Sequence, residues 1–507
     1  MIASAILSSL LLFQIPSLSP RPSETPQARP APQAEQKEEP PVVTKHSIKM
    51  GNRQLNYTVS TGFMPIKNAV SGDTEARIFY MAYTLDDPPA GRPLMFSFNG
   101  GPGSASVWLH MGALGPKRVK MLDDGLMPPA PYEAEENAQT WLDQTDLVFI
   151  DPVGTGYSRA TKPELASKFF GLTGDVESIG EFIRMYLGRN ERWSSPLYLV
   201  GESYGTTRAA GLSNHLFERG IALNGIVLVS TVMNFQSLSF ADNNDLPLIL
   251  IFPSYTATAW YHKQLPAELQ RKPLREVLNE SEQFAMNEYG PAMLRIDKLS
   301  APEKNALLDK FSRLSGLGRD FVDENNFRVT LGEFNKELLR KQRRSTGRLD
   351  SRFLGFDKDS AGTSTDFDPS MTAIRTPYTA VFNDYVRREL GYKSDLEYYI
   401  LGGGITSPWN WGVNNQYADT SQALSSAMRK NPYMKVMVAS GYYDMATPYF
   451  AAEYTVSAMN LDPQLRRNFT FTYYEAGHMM YIEKESLRKL KVDVTGFIQS
   501  SAQRSGR

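Results

Sequence analysis

Leu197-Tyr198-Leu199-Val200-Gly201-Glu202-Ser203-Tyr204-Gly205 is the stretch whose reading decides the fold. The four apolar residues make a short buried strand. Thr206 to Leu212 continue as a helix, and the serine stands at the turn between the two. A serine there sits in a strained backbone with its hydroxyl pushed outward. Glycines on either side are needed because side chains would collide with the neighbouring strand and helix. The turn also lies at a helix N-terminus, which favours a developing negative charge. G-x-S-x-G alone also describes a glycine-flanked surface turn. The strand before it and the helix after it favour a nucleophile.

Working outward, short apolar strands alternate with helical patterns. Thr44–Lys49 and Gln54–Ser60 flank the turn signal Met50-Gly51-Asn52 and predict a hairpin. Glu75–Thr84, Leu94–Phe98, Asp146–Ile150 and Gly225–Ser230 predict further strands, and 175–188 an amphipathic helix. After Thr231 the character changes. Residues 262–343 read as helices, two of them opened by Ser300-x-x-Glu303 and Thr330-x-x-Glu333 capping boxes. Residues 344–375 read as a long loop. Strand patterns return at Tyr433–Ala439 and Asn468–Tyr474, before a last helix near 484–500. The expected architecture is an α/β-hydrolase fold: a mostly parallel sheet, helices on both faces, and a largely helical insertion covering the sheet's C-terminal edge. The expected divisions are 44–231 and 396–507 for the core and 232–395 for the insertion.

The chain has 507 residues, 41% hydrophobic and 21% charged, which is ordinary for a globular protein. A net charge of -1 argues against nucleic acid as a partner. There are no cysteines, so disulfides, thiolate chemistry and iron–sulfur clusters are excluded. The apolar run Ile2–Ile15 fits the core of an export signal within 1–19 and is too short for a membrane span, although no Lys or Arg precedes it. Residues 20–43 are Pro-rich and read as a disordered tether. These features predict an exported protein without a stable membrane span.

A serine nucleophile needs a base, and the base needs an orienting group. In the α/β-hydrolase order both follow the serine. Of the five histidines, His46 and His110 precede Ser203, His215 lies three turns into the following helix, and His262 opens the insertion. Only His478 follows a late core strand. Asp444, just past the strand before it, is the acid of choice, with Asp419 as the fallback. The glycine-rich Phe98-Asn99-Gly100-Gly101-Pro102-Gly103-Ser104 follows an early strand and suits an oxyanion hole, each donor contributing about 3 kcal/mol to the transition state. A phosphate loop is rejected because no Gly-Lys-Ser/Thr follows.

Asn99-Gly100-Gly101-Pro102-Gly103, Asp151-Pro152-Val153-Gly154-Thr155-Gly156-Tyr157-Ser158, Gly201-Glu202-Ser203-Tyr204-Gly205 and Ala476-Gly477-His478-Met479 together resemble the serine carboxypeptidases, in order and spacing, over about 44–500. The match looks closest to bacterial-type members, which lack disulfides. The resemblance implies Ser203, Asp444 and His478 as the catalytic triad. It implies the N–H groups of Gly101 and Tyr204 as the oxyanion hole, and Asn99 and Glu202 as binders of a peptide's terminal carboxylate. No metal or cofactor is implied, and the implied partners are peptides with a free C-terminus. Two carboxyl groups in contact share a proton, so activity is expected to favour acidic pH. One position departs from the family. Many members carry a second Glu where this chain has Ala113, and Arg348 and Arg352 are candidates to supply the missing recognition.

An esterase or acyltransferase on the same scaffold is the alternative, and a catalytically silent binding protein a remote one. Asp357-x-Asp359 hints at calcium but lacks the other loop ligands, so a solvated loop is preferred. Trp409 and Trp411 suit either a substrate subsite or the core.

Overall fold

A computed structural model describes residues 38–502. The export segment expected at 1–19 and most of the tether lie outside the described residues. The first strand already begins at Val42.

Nine strands build the main sheet: β1 (Val42–Met50), β2 (Arg53–Lys67), β3 (Thr74–Leu85), β4 (Leu94–Phe98), β5 (Asp146–Ile150), β6 (Leu197–Ser203), β7 (Gly225–Thr231), β8 (Lys435–Gly441) and β9 (Phe469–Tyr474). Their order is β1-β2-β3-β5-β4-β6-β7-β8-β9, and the two-residue strand 159–160 adds to β3. The β1–β2, β2–β3 and β3–β5 pairs are antiparallel. All pairs from β5 to β9 are parallel. This is the α/β-hydrolase fold.

Strand periodicity divides the core. Met95, Phe149, Tyr198 and Val227 face one side. Phe96, Val148, Leu199 and Leu228, one residue along, face the other. On the first side Tyr378 and Phe382 of helix α6 (Pro369–Arg388) and Leu490 and Phe497 of α9 (Lys484–Ala502) complete the layer. On the second side α1 (Leu172–Arg189), α2 (Tyr204–Phe217) and α7 (Ser421–Lys430) do so. β4, β5 and β7 are buried throughout, which is why they read as unbroken apolar runs.

Residues 232–395 contribute to two places. Helices α3 (Leu246–Tyr261), α4 (Leu274–Phe284) and α5 (Ala301–Ser315) form an apolar cluster of their own, which includes Tyr442, Tyr443 and α8 (Tyr449–Ala458) beyond β8. Both expected capping boxes are present. The reading of 344–375 as loop fails at its end: α6 starts at Pro369, capped by Asp368, whose carboxylate accepts from Ser370 N at 3.0 Å. Its polar first turn hid an apolar stripe, Ile374, Tyr378, Val381 and Tyr385, that joins the main core. Among the described residues no helix is long and apolar enough to cross a membrane.

Candidate active site

Ser203 ends β6 at φ 59° and ψ -131°, a conformation costing about 1–3 kcal/mol for a residue with a side chain. The flanking glycines permit it. A Cβ at Gly201 would lie 2.2 Å from the Gly205 carbonyl oxygen, and one at Gly205 2.9 Å from that of Phe98. The turn is therefore closed against both its own helix and the end of β4.

His478 follows β9 and Asp444 follows β8, so the parallel sheet brings both to the edge where Ser203 stands. His478 Nδ1 lies 2.8 Å from Asp444 Oδ2. Asp444 also accepts from the N–H groups of Ala446 (2.8 Å) and Thr447 (2.9 Å) and from the Thr447 hydroxyl (2.6 Å). The aspartate thus caps its own turn while holding the imidazole. Burial works against a charged His478, but the Asp444 carboxylate outweighs it and the histidine is raised above its ordinary value. Among the described residues no hydrogen bond joins Ser203 Oγ to His478; such contacts commonly close only when substrate arrives. Asp419, the fallback acid, instead accepts from Ser421 N at the start of α7.

Two supports of His478 were not foreseen. Ser230 sits at a bulge in β7, where the register slips between Val229 and Thr231, and its φ is 53°. Its hydroxyl donates to the His478 carbonyl at 2.6 Å, while its neighbour Thr231 pairs with Ser203. The bulge therefore ties His478 and Ser203 together. The second support is the 348–352 segment. His478 N donates to Leu349 O (2.7 Å), Gly477 N to Asp350 Oδ2 (3.0 Å), and Met445 N to Arg348 O (3.1 Å). The Arg352 side chain is tucked in and forked onto Asp350. Its guanidinium is committed to that pair, whereas Arg348 is exposed and its charge acts on His478.

Glu202 is buried beside Ser203. Tyr481, three residues past His478, donates to Glu202 Oε2 at 2.5 Å. Burial pushes the Glu202 carboxyl up to about 7, against the opposing pull of His478 and the Tyr481 hydrogen bond. Asn99 is also buried. Its Oδ1 accepts from Leu109 N at 3.0 Å, and its Nδ2, which closes no full hydrogen bond, faces the Glu202 carboxyl and the Tyr481 hydroxyl. Ala113 lies in a π-helical turn, His110–Leu114, and a Cβ on its neighbour Gly112 would meet the Tyr481 ring at 2.3 Å. The Tyr481 ring thus packs on the residue before Ala113, and its hydroxyl meets Glu202. Sequence reasoning missed Tyr481; its one visible signal was a polar aromatic just after the histidine.

Gly100 packs so tightly on the Ser203 turn that a Cβ there would lie 2.4 Å from Tyr204 N. Tyr204 is the first residue of α2, so its N–H has no partner within the helix. The structure thus brings the Gly101 loop and Tyr204 together. Trp409 and Trp411 stand edge-on to the Tyr204 ring at 5.4 and 5.9 Å, and Phe235 packs on Trp411 at 4.6 Å.

The other histidines lie apart: His110 is buried against Tyr83, His262 bonds Ser351 O, His215 meets Arg219 and His46 meets Thr44. At Asp357 and Asp359 the cation is a protein one: Lys336 Nζ donates to Asp357 Oδ2 (2.7 Å) and Asp359 O (2.6 Å). No cluster of three metal-ligating side chains occurs among the described residues.

Two curated relatives from Arabidopsis thaliana, serine carboxypeptidase-like 4 and serine carboxypeptidase-like 7, are each 29% identical over 153 residues, which cover 30% of this chain and 32% and 33% of theirs. The chain thus spans about a third of the length of the curated relatives it matches. Solved structures similar to it include a soluble variant of a monoglyceride lipase from Saccharomyces cerevisiae (9% identity, TM-score 0.36, 90% of this chain and 98% of that one). A peroxisomal α/β-hydrolase from the same organism gives 11% identity and a TM-score of 0.35, over 90% of this chain and 92% of that one. The serine carboxypeptidase profile matches residues 50–503, nearly the whole described chain, and the chain belongs to that family.

Proposed function

We propose that this protein is a serine carboxypeptidase that releases C-terminal residues from peptides through an acyl-enzyme on Ser203. His478 takes the Ser203 proton as the hydroxyl attacks the last peptide carbonyl, and returns it to the leaving amine. Asp444 keeps the imidazole in the tautomer that can accept it. The N–H groups of Gly101 and Tyr204 receive the oxyanion. Water then deacylates Ser203 by the same relay. Asn99 Nδ2 and protonated Glu202 hold the substrate's terminal carboxylate, which limits cleavage to the chain end. Residues 232–395 serve as the cap, with 348–352 bracing the histidine loop.

The observation that carries this reading is Glu202. A carboxyl buried beside the nucleophile and raised to about 7 stays protonated in mild acid, and can donate to an anionic chain end. An esterase would need the same triad but not this group. The apolar segment at the N-terminus supports export as the setting.

The test combines two measurements. A fluorophosphonate should label the wild type and not Ser203→Ala. Mass spectrometry of a long peptide should then show stepwise loss from the C-terminus alone. Labelling without such a ladder would leave an acyl hydrolase and refute the exopeptidase reading.

A further inference from the structure

We propose that the buried Asp175–Arg208 ion pair is the positioning device of the oxyanion hole, clamping together the two chain segments that supply its N–H groups. Asp175 lies in the first turn of α1, and Arg208 lies one turn beyond Tyr204 in α2. Both are at least 98% buried. Arg208 Nε reaches Asp175 Oδ1 at 3.0 Å and Oδ2 at 2.8 Å. Its Nη1 donates to the Asn99 backbone carbonyl at 2.6 Å. Asp175 Oδ2 accepts the Tyr204 hydroxyl at 3.0 Å. The guanidinium carbon lies 5.2 Å from the ring centroids of both Phe98 and Tyr204.

The pair therefore grips both halves of the hole. Through Asn99 it holds the loop whose next residues are Gly100 and Gly101. Through the Tyr204 hydroxyl it holds the first residue of α2. A buried ion pair is a poor stabiliser, because desolvating two charges consumes most of what their attraction returns. What a rigid guanidinium fork supplies well is direction. An oxyanion donor needs direction most, since it must be aimed where charge will develop. Neither side chain touches the reacting atoms, so both act through Gly101 and Tyr204. Sequence gave no hint of it, since Asp175 and Arg208 are 33 residues apart and on different helices.

The proposal rests on Ser203 acting through an acyl-enzyme, and is indifferent to whether the substrate is a peptide or an ester. It is tested with full-length Arg208→Met, Arg208→Lys and Asp175→Asn on an activated ester and a blocked dipeptide. Loss of oxyanion geometry should lower kcat about 10–100-fold with KM within twofold. Binding of a peptide boronic acid, which mimics the tetrahedral state, should weaken by the same factor, while substrate binding to Ser203→Ala carrying the same change stays constant. Arg208→Lys should recover part of the loss. Should Arg208→Met fail to fold, Tyr204→Phe, which removes one hydroxyl from the clamp, should lower kcat severalfold with KM held. Folded variants whose kcat stays within threefold of wild type, or whose loss falls on KM, overturn the proposal. Absence of fluorophosphonate labelling in the wild type overturns it too, by removing the acyl-enzyme beneath it.

Discussion

Replacing Glu202 by glutamine keeps the side chain's shape and removes its proton equilibrium. In the folded protein burial pushes this carboxyl from 4.5 up to about 7. A rise of that size corresponds to about 3 kcal/mol, since each tenfold change in proton affinity is 1.36 kcal/mol. The sign follows from linkage. A carboxyl raised on folding contributes stability that is present in full below its unfolded value and is lost as pH rises through about 7. Wild type should therefore weaken between pH 4 and pH 8 by up to about 3 kcal/mol relative to Glu202→Gln, the attraction between ionised Glu202 and His478 returning part of it. Urea unfolding of the two proteins at pH 4, 5.5 and 8 measures this directly. Catalysis should follow the same proton. For a blocked dipeptide with a free carboxylate, kcat/KM should fall above about pH 7 in wild type, where Glu202 ionises and repels the chain end. In Glu202→Gln that alkaline limb should vanish, while the acid limb, set by the need for neutral His478, remains. A stability difference that stays flat within 1 kcal/mol from pH 4 to 8 would refute the reasoning.

Tyr481→Phe removes a hydrogen bond that favours ionised Glu202, so the alkaline limb should move to higher pH; no movement in the pH profile would mean the contact is passive. Ser230→Ala deletes the hydroxyl under the His478 carbonyl and should lower kcat about tenfold and stability by about 1 kcal/mol, read by kinetics and urea unfolding. Asp444→Asn leaves the shape but offers His478 the wrong tautomer, and should lower kcat by about 10⁴ with KM little changed.

What was legible in the chain was local. The Ser203 turn could be read because strand, glycines and helix are contiguous, and the Ser300 and Thr330 caps because each motif closes within four residues. His478 and Asp444 were reached through topology: in a parallel sheet the residues just beyond successive strands gather at one edge. What escaped depended on distance. Tyr481 meets Glu202 across 279 positions, and Ser230 meets His478 across 248. No periodicity marks such contacts. The 348–352 segment was read for its arginines, but its backbone and Asp350 are what meet the histidine loop. The departure at Ala113 was visible, but Tyr481 was not, because its ring packs on the neighbouring Gly112 from beyond the last strand.

The central claim is that this site reads a free chain end. It is tested most directly by kcat/KM for one blocked dipeptide as the acid and as its amide, at pH 5.5. Two charge-assisted hydrogen bonds from Asn99 and protonated Glu202 predict a preference for the acid of about 100-fold. Equal rates for the two would contradict the account.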